Sequence, residues 1–181
     1  MNFKIYISRI YGKVLLSTLL VFVCFRAGAI SDSSEYSIKA MFLLNFIKYF
    51  EWPIENNKPI IKIGIVGESE MFDALLTLAA QRSAEGQKVE INMVDEKNAN
   101  LCQIIFISNN QNNKIDETIK KLSGKGVLII SEDDKCKTKQ AGINLFNHDN
   151  KIRFEINLTP VKSNGMKVSS KLIELASAVN H

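Results

Sequence analysis

The chain of 181 residues is 46% apolar and 23% charged, with nine glycines and three prolines. This composition excludes a disordered or collagen-like chain, and the length is sufficient for one hydrophobic core. The net charge of +4 does not indicate a nucleic-acid-binding protein, because residues 1–29 hold four of the 23 basic residues and none of the 19 acidic ones. The remaining residues carry 19 of each sign, and their lysines lie among carboxylates, whereas binding to nucleic acid requires clustered cations.

Residues 1–29 have the pattern of a secretory signal peptide. Lys4, Arg9 and Lys13 precede an apolar run over residues 14–25, which is followed by small residues at 27–29. As a helix this run spans only about 18 Å, which is too short to cross a bilayer. We predict cleavage between Ala29 and Ile30, export of the chain, and no insertion of the mature protein into the membrane.

The cleavage removes Cys24 and leaves Cys102 and Cys136. An oxidising compartment allows the two thiols to pair. They lie at opposite ends of two neighbouring predicted strands, however, about 15 Å apart and beyond the reach of a disulfide unless the intervening acidic loop folds back. A disulfide between Cys102 and Cys136 and a buried free thiol at Cys102 are therefore the two alternatives.

Predicted helices and strands alternate along the mature chain. A helix begins near Asp32 and ends at Trp52, where Pro53 stops it. Strands are predicted over 60–67, 89–94, 101–108 and 127–131, and helices over 69–81 and 115–122. A helical turn over 160–165 precedes a last helix from Ser169, predicted to bury Leu172, Leu175, Ala176 and Val179. The pattern predicts a single-domain α/β sandwich over residues 30–181, with a mostly parallel sheet flanked by helices and a C-terminal β-hairpin.

The hairpin covers residues 143–158, with Asp149 and Asn150 suited to a two-residue turn. This turn fixes the register of the two strands. The predicted pairs are Ile143 with Ile156, Asn144 with Glu155, Leu145 with Phe154, and Phe146 with Arg153. Arg153 and Glu155 then lie on one face, either as a structural ion pair or as a polar recognition strip.

The first predicted helix is apolar on almost every face, whereas a surface helix shows a single apolar stripe. Such a helix is either central to the core of a monomer or covered by another chain. In the segment of the last predicted helix, Val168 and Ile173 fall outside the apolar stripe that faces the core. The residues proposed for a partner or dimer surface are therefore Phe42, Phe46, Tyr49, Trp52, Val168 and Ile173.

Groups suited to catalysis are few in this sequence. The two histidines, His148 and His181, lie in a turn and at the carboxyl terminus, without the partners of a triad or the spacing of zinc ligands. The Gly64–Ser69 segment fits a helix cap better than a phosphate loop. The acidic run from Glu132 to Asp134 fits a solvated turn better than a cation site. We therefore predict no catalytic residues, no cofactor and no metal, and hence no enzyme.

Several segments together resemble one known family. They are residues 36–53, with Lys39-Ala40, Asn45-Phe46 and Trp52-Pro53, then residues 102–107, Ala141-Gly142-Ile143, and residues 165–172. Residues 153–158 are a further segment, and their Phe154-Glu155-Ile156-Asn157 motif together with the three residue pairs of 36–53 makes the pattern fairly specific. In this order, and after a signal peptide, they are similar to the YfiR family of small periplasmic proteins.

The resemblance implies a periplasmic, non-catalytic regulator that forms a homodimer. It would repress an inner-membrane diguanylate cyclase (YfiN-like) by binding its periplasmic domain, and so lower cyclic-di-GMP and restrain biofilm formation. An outer-membrane lipoprotein (YfiB-like) would be a second partner that sequesters the repressor. The relatives' two disulfides need four cysteines, whereas this mature chain has two. The alternative function is a periplasmic small-ligand sensor, with a concave site near Glu68, Asn109 and Glu132.

Overall fold

The computed structural model describes residues 32–53, 59–67, 70–84, 88–95, 97–109, 117, 120–132 and 141–181. The predicted cleavage site at Ala29 and Ile30 lies outside these residues, as do Glu68, Ser69 and Cys136. The helices are α1 (Asp32–Phe46), α2 (Met71–Ala84), α3 (Leu158–Ser163) and α4 (Ser170–Leu175). The strands are β1 (Phe50–Glu51), β2 (Ile61–Val66), β3 (Val89–Met93), β4 (Ile104–Ile107), β5 (Leu128–Glu132), β6 (Ile143–His148), β7 (Lys151–Asn157), β8 (Lys167–Val168) and β9 (Ala178–Asn180).

Within the described residues, the central sheet has seven strands in the order β3-β2-β4-β5-β6-β7-β9. The pairs from β3 through β6 are all parallel, β6 and β7 are antiparallel, and β7 and β9 are parallel. The predicted strands over 60–67, 89–94, 101–108 and 127–131 correspond to β2, β3, β4 and β5. The predicted α/β class with a mostly parallel sheet is thus confirmed.

Hydrophobic side chains cover both faces of the sheet, which is why β4 reads as an uninterrupted apolar run with all its residues buried. On one face, α1 and α2 pack against the sheet through residues such as Leu43, Phe46 and Leu75. On the other face, a smaller cluster surrounds Ile105 and Leu122. Of the helix predicted over 115–122, only 117 and 120–122 are described, and these residues are helical.

The hairpin has the predicted register, including the pairs Asn144 with Glu155 and Leu145 with Phe154. Its turn residues Asp149 and Asn150 have φ angles of 52° and 57°. Positive φ at both central positions matches the twist of the two strands, and Asp and Asn tolerate this conformation better than most residues. The local turn chemistry therefore determines how β6 and β7 pair.

Two segments have a different secondary structure from the one that the sequence predicts. α1 ends at Phe46, a 3₁₀ turn covers Ile47–Tyr49, and Phe50–Glu51 pairs with Lys167–Val168 as a small antiparallel sheet. The last helix ends at Leu175 rather than at Val179, and Ala178–Asn180 forms an edge strand beside β7. In both places, strand pairing with a distant segment overrides a helical pattern of apolar residues.

Candidate functional site

A groove with a volume of about 460 Å³ lies between α1, β7 and α4. Its floor consists of Phe46, Phe154 and Leu172, which are 1%, 4% and 2% exposed. The lining residues are Phe42, Asn45, Phe46, Lys48, Tyr49, Ile152, Arg153, Phe154, Leu172, Leu175 and Ser177. A concave, mainly apolar site of this size lies in the range of natural binding sites.

Three aromatic rings fix the shape of the groove floor. The centroid of the Phe154 ring lies 5.1 Å from that of Phe46 and 5.9 Å from that of Phe42. The Phe42 and Phe46 centroids are 6.1 Å apart. Tilted and edge-to-face pairs at these distances are favourable, so the three rings tie α1 to β7 and hold the groove open between them.

Leu175 forms an exposed apolar rim of the groove. The sequence predicts that Leu175 is buried, but its side chain is 61% exposed. This prediction is wrong because α4 ends at Leu175 and Ala176 is already extended, with φ −70° and ψ 144°. The chain turns back to the sheet there and leaves the leucine in solvent. Phe42, Tyr49 and Ile152 are half-buried and form the walls.

The residues that the sequence assigns to a partner surface do not all lie together. Phe42 and Tyr49 line the groove, whereas Phe46 belongs to the core and reaches the groove only at its floor. Trp52 is half-buried beside Phe50, with 6.0 Å between ring centroids, and Val168 pairs with the same Phe50. These two residues form a separate patch at the small sheet. The sixth residue of that set is Ile173, which lies half-buried on α4.

The Phe154–Asn157 motif has a structural explanation at each position. Phe154 and Ile156 point into the core, where they are 4% and 0% exposed. Glu155 is half-buried on the other face and pairs across the sheet with Asn144. The Asn157 side chain accepts a hydrogen bond of 3.1 Å from the Thr159 N–H and so caps α3. The motif thus combines strand alternation with a helix start.

A buried polar cluster connects the first half of α1 to the carboxyl ends of the parallel strands. Lys39 is only 5% exposed, and its Nζ lies 2.9 Å from Glu132 Oε2 and 2.7 Å from Glu35 Oε1. The second oxygen of Glu132 accepts hydrogen bonds of 3.1 Å from the Tyr36 hydroxyl and from the Asn109 N–H. These contacts hold α1 at the edge of the sheet where parallel strands end.

Asn147 completes the cluster by donating a hydrogen bond of 2.9 Å from Nδ2 to Glu35 Oε2. Burial raises the pKa of Glu35, but the hydrogen bonds from Lys39 and Asn147 and the positive charge of Lys39 outweigh it and lower this pKa below its ordinary value. Burial lowers the pKa of Lys39, and the nearby carboxylates of Glu132 and Glu35 more than reverse this effect. Both residues are therefore held in their charged forms.

The same contacts bear on the small-ligand alternative. Of the three residues expected near such a site, Glu132 accepts hydrogen bonds from the Asn109 N–H and from Tyr36 and Lys39 of α1, while Glu68 lies outside the described residues. Both carboxylate oxygens of Glu132 have partners within the protein. The cluster therefore serves to attach α1. No signal in the sequence reveals it, because Lys39 and Glu132 are 93 residues apart.

The Cys102 side chain is buried, and the residue is 4% exposed. Burial raises its pKa, and the charge of Lys62 offsets this effect only in part. A disulfide with Cys136 stays a prediction, because Cys136 lies outside the described residues. Within the described ranges, no group of three or more His, Cys, Asp or Glu residues could hold a metal ion. His148 lies at the hairpin tip, 3.5 Å from Asp149, and both side chains are exposed.

No helix in the described part of the chain is long and apolar enough to cross a membrane. Among solved structures, a conserved domain protein from Vibrio cholerae O1 biovar eltor is similar in fold, with a TM-score of 0.53 and 11% identity. This match covers 80% of the present chain and 60% of the Vibrio chain, so the chain spans less than two thirds of that protein. The ABC domain from Streptococcus pneumonia, solved in complex with L-Trp, matches with a TM-score of 0.49 and 9% identity, over 66% of this chain and 55% of that one.

The family model described as YfiR/HmsC-like matches residues 36–177, which include α1 from Tyr36 onwards, the whole groove and the Phe154–Asn157 motif. The proteins of this family are periplasmic and regulatory, with a role in cyclic-di-GMP signalling. With this match over most of its length, the chain belongs to the YfiR/HmsC-like family.

Proposed function

We propose that this chain is a non-catalytic periplasmic repressor of an inner-membrane diguanylate cyclase (YfiN-like). It binds the periplasmic domain of the cyclase, lowers cyclic-di-GMP and restrains biofilm formation. The observation that carries this proposal is the family match over residues 36–177. The groove supports it, because two of the segments that carry the resemblance, residues 36–53 and the Phe154–Asn157 motif, contribute Phe42, Phe46, Tyr49 and Phe154 to its lining.

The chemistry of the groove suits a protein partner. Interfaces between proteins have an apolar, aromatic-rich centre that excludes water and a more polar rim. Here, the floor is aromatic and buried, Leu175 is an exposed apolar residue, and Asn45, Lys48 and Ser177 are exposed polar residues around it. A partner side chain that enters the groove would bury Leu175 and Tyr49 together.

Two further partners belong to the same proposal. A homodimer would place two grooves in one particle and allow two cyclase protomers to be held together. An outer-membrane lipoprotein (YfiB-like) that binds the repressor would release the cyclase by competition, since a regulator bound to one partner is withdrawn from the other. Trp52 and Val168 form a half-buried patch apart from the groove, which leaves a second surface for one of these contacts.

The test is the intracellular concentration of cyclic-di-GMP in a strain from which the gene is deleted. The deletion strain is complemented either with the full chain or with a version that lacks residues 1–29. We expect the nucleotide to rise on deletion and to fall again only with the full chain, because the cytoplasmic version cannot reach a periplasmic domain. Capture of a membrane cyclase by the exported protein then identifies the partner.

Unchanged cyclic-di-GMP on deletion would contradict the proposal. Equal rescue by the version without residues 1–29 would also contradict it, since repression would then occur in the cytoplasm. A matched control is the full chain with Lys162→Gln, because Lys162 is an exposed residue on α3 and does not line the groove. This variant is expected to restore repression fully.

A further inference from the structure

The first half of β7 forms an open edge of the central sheet. β9 pairs with β7 only at Glu155–Asn157, so Lys151–Arg153 extends beyond β9. No strand in the described part of the chain pairs with the outer side of Lys151–Arg153. The groove lies directly along this edge, because Ile152, Arg153 and Phe154 are among its lining residues.

The backbone groups of Ile152 face outward from this edge. The Phe154 carbonyl accepts a hydrogen bond of 2.9 Å from the Ser177 N–H, which comes from the outer side of β7. The Asn157 N–H instead donates to the Gly142 carbonyl on the β6 side. Since backbone groups alternate in direction along a strand, Ile152 points the same way as Phe154, towards the open side.

The two faces of the open edge differ in chemistry. Ile152 lies on the same face as Phe154, which packs against α1, and so borders the apolar groove. Lys151 and Arg153 lie on the opposite face, and both are exposed. Glu155, the next residue on that face, already lies beside β9, where it pairs with Ala178.

We infer that this edge binds an extended segment of a partner protein by strand addition, and that the segment alternates acidic with apolar residues. The inference rests on the proposed function, in which the chain acts by binding a protein. An added strand places alternate side chains on opposite faces. Its apolar side chains enter the groove beside Ile152, and its acidic side chains lie opposite Lys151 and Arg153.

The charges around the groove favour an acidic partner over a basic one. The described residues that line the groove include no acid and two cations, Lys48 and, at the β7 edge, Arg153, whose side chain lies on the opposite face of the strand. Lys151 adds a third exposed cation at the same edge. Like charges directly across a strand pair are destabilising, so a basic segment would be rejected at the same place where an acidic one is attracted.

The test uses a blocked, fluorescently labelled peptide of sequence Glu-Leu-Glu-Val-Glu and the exported protein purified from the periplasm. The control peptide is Lys-Leu-Lys-Val-Lys, which keeps the apolar pattern and reverses the charge. Binding is measured by fluorescence anisotropy at low salt, and amide exchange at Ile152 reports whether the backbone pairs. We expect about tenfold tighter binding of the acidic peptide, together with protection of the Ile152 amide.

Three variants at the edge and one control variant separate the charge contribution from the backbone pairing. Lys151→Glu and Arg153→Glu are each expected to weaken binding of the acidic peptide roughly two- to fivefold, while Lys162→Glu, away from the groove, leaves it unchanged. Ile152→Pro removes the outward N–H, which an edge strand tolerates, and should abolish the backbone pairing. Circular dichroism verifies that each variant is folded.

Equal binding of the two peptides, no binding of either, or full binding by Ile152→Pro overturns the inference. These outcomes leave the proposed function intact, because the cyclic-di-GMP experiment does not depend on how the partner is held. Failure of the proposed function can likewise be distinguished from failure of the inference. Peptide binding without any change of cyclic-di-GMP on deletion would remove the cyclase role and keep the edge as a protein-binding site.

Discussion

The buried polar cluster around Lys39 and the aromatic groove lie along the same stretch of chain, and they differ in whether their side chains are already satisfied by contacts within the protein. In the middle of α1, Lys39 is buried, and two carboxylates within 2.9 Å neutralise its charge. Further along the chain, Phe42 on α1 and Tyr49 in the following 3₁₀ turn stay half-buried above an aromatic floor. In the polar cluster, the charged groups form their ion pairs and hydrogen bonds with one another. In the groove, part of the apolar surface stays exposed to solvent, where a partner can contact it.

The difference shows where function is to be sought in this protein. A buried ion pair attracts attention in a search for catalytic groups, yet here its contacts are used to attach α1 to the sheet. Exposed apolar surface beside a rigid floor is costly for a protein on its own and becomes favourable when a partner covers it. The groove is therefore the better candidate for the functional surface.

The largest expected effect is a difference in the free energy of unfolding between a variant of the groove floor and a variant of its rim. Phe46→Ala leaves a cavity under α1 and is expected to lower the free energy of unfolding by about 3–5 kcal/mol. Leu175→Ala on the exposed rim should change it by no more than about 0.5 kcal/mol. Urea unfolding of both variants measures the difference, and similar losses would show that the rim is also part of the core.

The second prediction compares the stability of two variants of the polar cluster, one that removes a single charge and one that removes an ion pair. Glu132→Ala leaves the Lys39 ammonium buried with only Glu35 beside it, and should cost about 3 kcal/mol of unfolding free energy. The double variant Lys39→Met with Glu132→Leu removes both charges and should recover stability to within about 1 kcal/mol of the original chain. If the double variant is as unstable as the single one, the cluster does more than neutralise Lys39.

A smaller effect is expected at the end of the motif. Asn157→Ala removes the cap of α3, whereas Asn157→Ser keeps an oxygen that can accept from the Thr159 N–H. The alanine variant should lose about 1 kcal/mol of unfolding free energy and the serine variant much less. Equal loss in the two variants, seen in the same urea experiment, would assign Asn157 a role other than capping.

The smallest expected effect is the pH dependence of thermal stability, to which Glu35 of the polar cluster contributes. The pKa of Glu35 is lowered in the folded protein, so its contribution to stability is full above the pKa of the unfolded chain, about 4.3, and is lost as the pH falls through the folded value. Thermal midpoints between pH 6 and pH 3 should fall less steeply in Glu35→Gln. The control Glu174→Gln, an exposed carboxylate on α4, should follow the original protein; identical slopes for all three proteins would contradict this account.

Local sequence signals predicted the parallel part of the central sheet and the hairpin correctly. Runs rich in β-branched and other apolar residues indicated β2, β4 and β5, because strands that are buried on both faces are mostly apolar. The turn at Asp149-Asn150 set the register of β6 and β7. These predictions succeed because a strand or a tight turn is largely determined by the residues within it.

The features missed by the sequence all depend on distant partners. β1 forms because Phe50 and Glu51 pair with β8, and β9 forms beside β7, although both segments continue a helical pattern of apolar residues. Leu175 is exposed for the same reason. The polar cluster unites α1 with the ends of β4, β5 and β6, and no local pattern contains those contacts.

The most direct test of the groove as the functional surface compares two leucines of almost equal exposure. Leu175 is 61% exposed on the rim, and Leu101 is 62% exposed in the 3₁₀ turn Ala99–Leu101, away from the groove lining. Each is changed to Asp in the full chain, and cyclic-di-GMP is measured in the complemented deletion strain, with periplasmic protein levels checked by immunoblot. The account predicts that Leu175→Asp fails to lower the nucleotide while Leu101→Asp restores repression. Full repression by Leu175→Asp at normal protein levels would contradict the central claim.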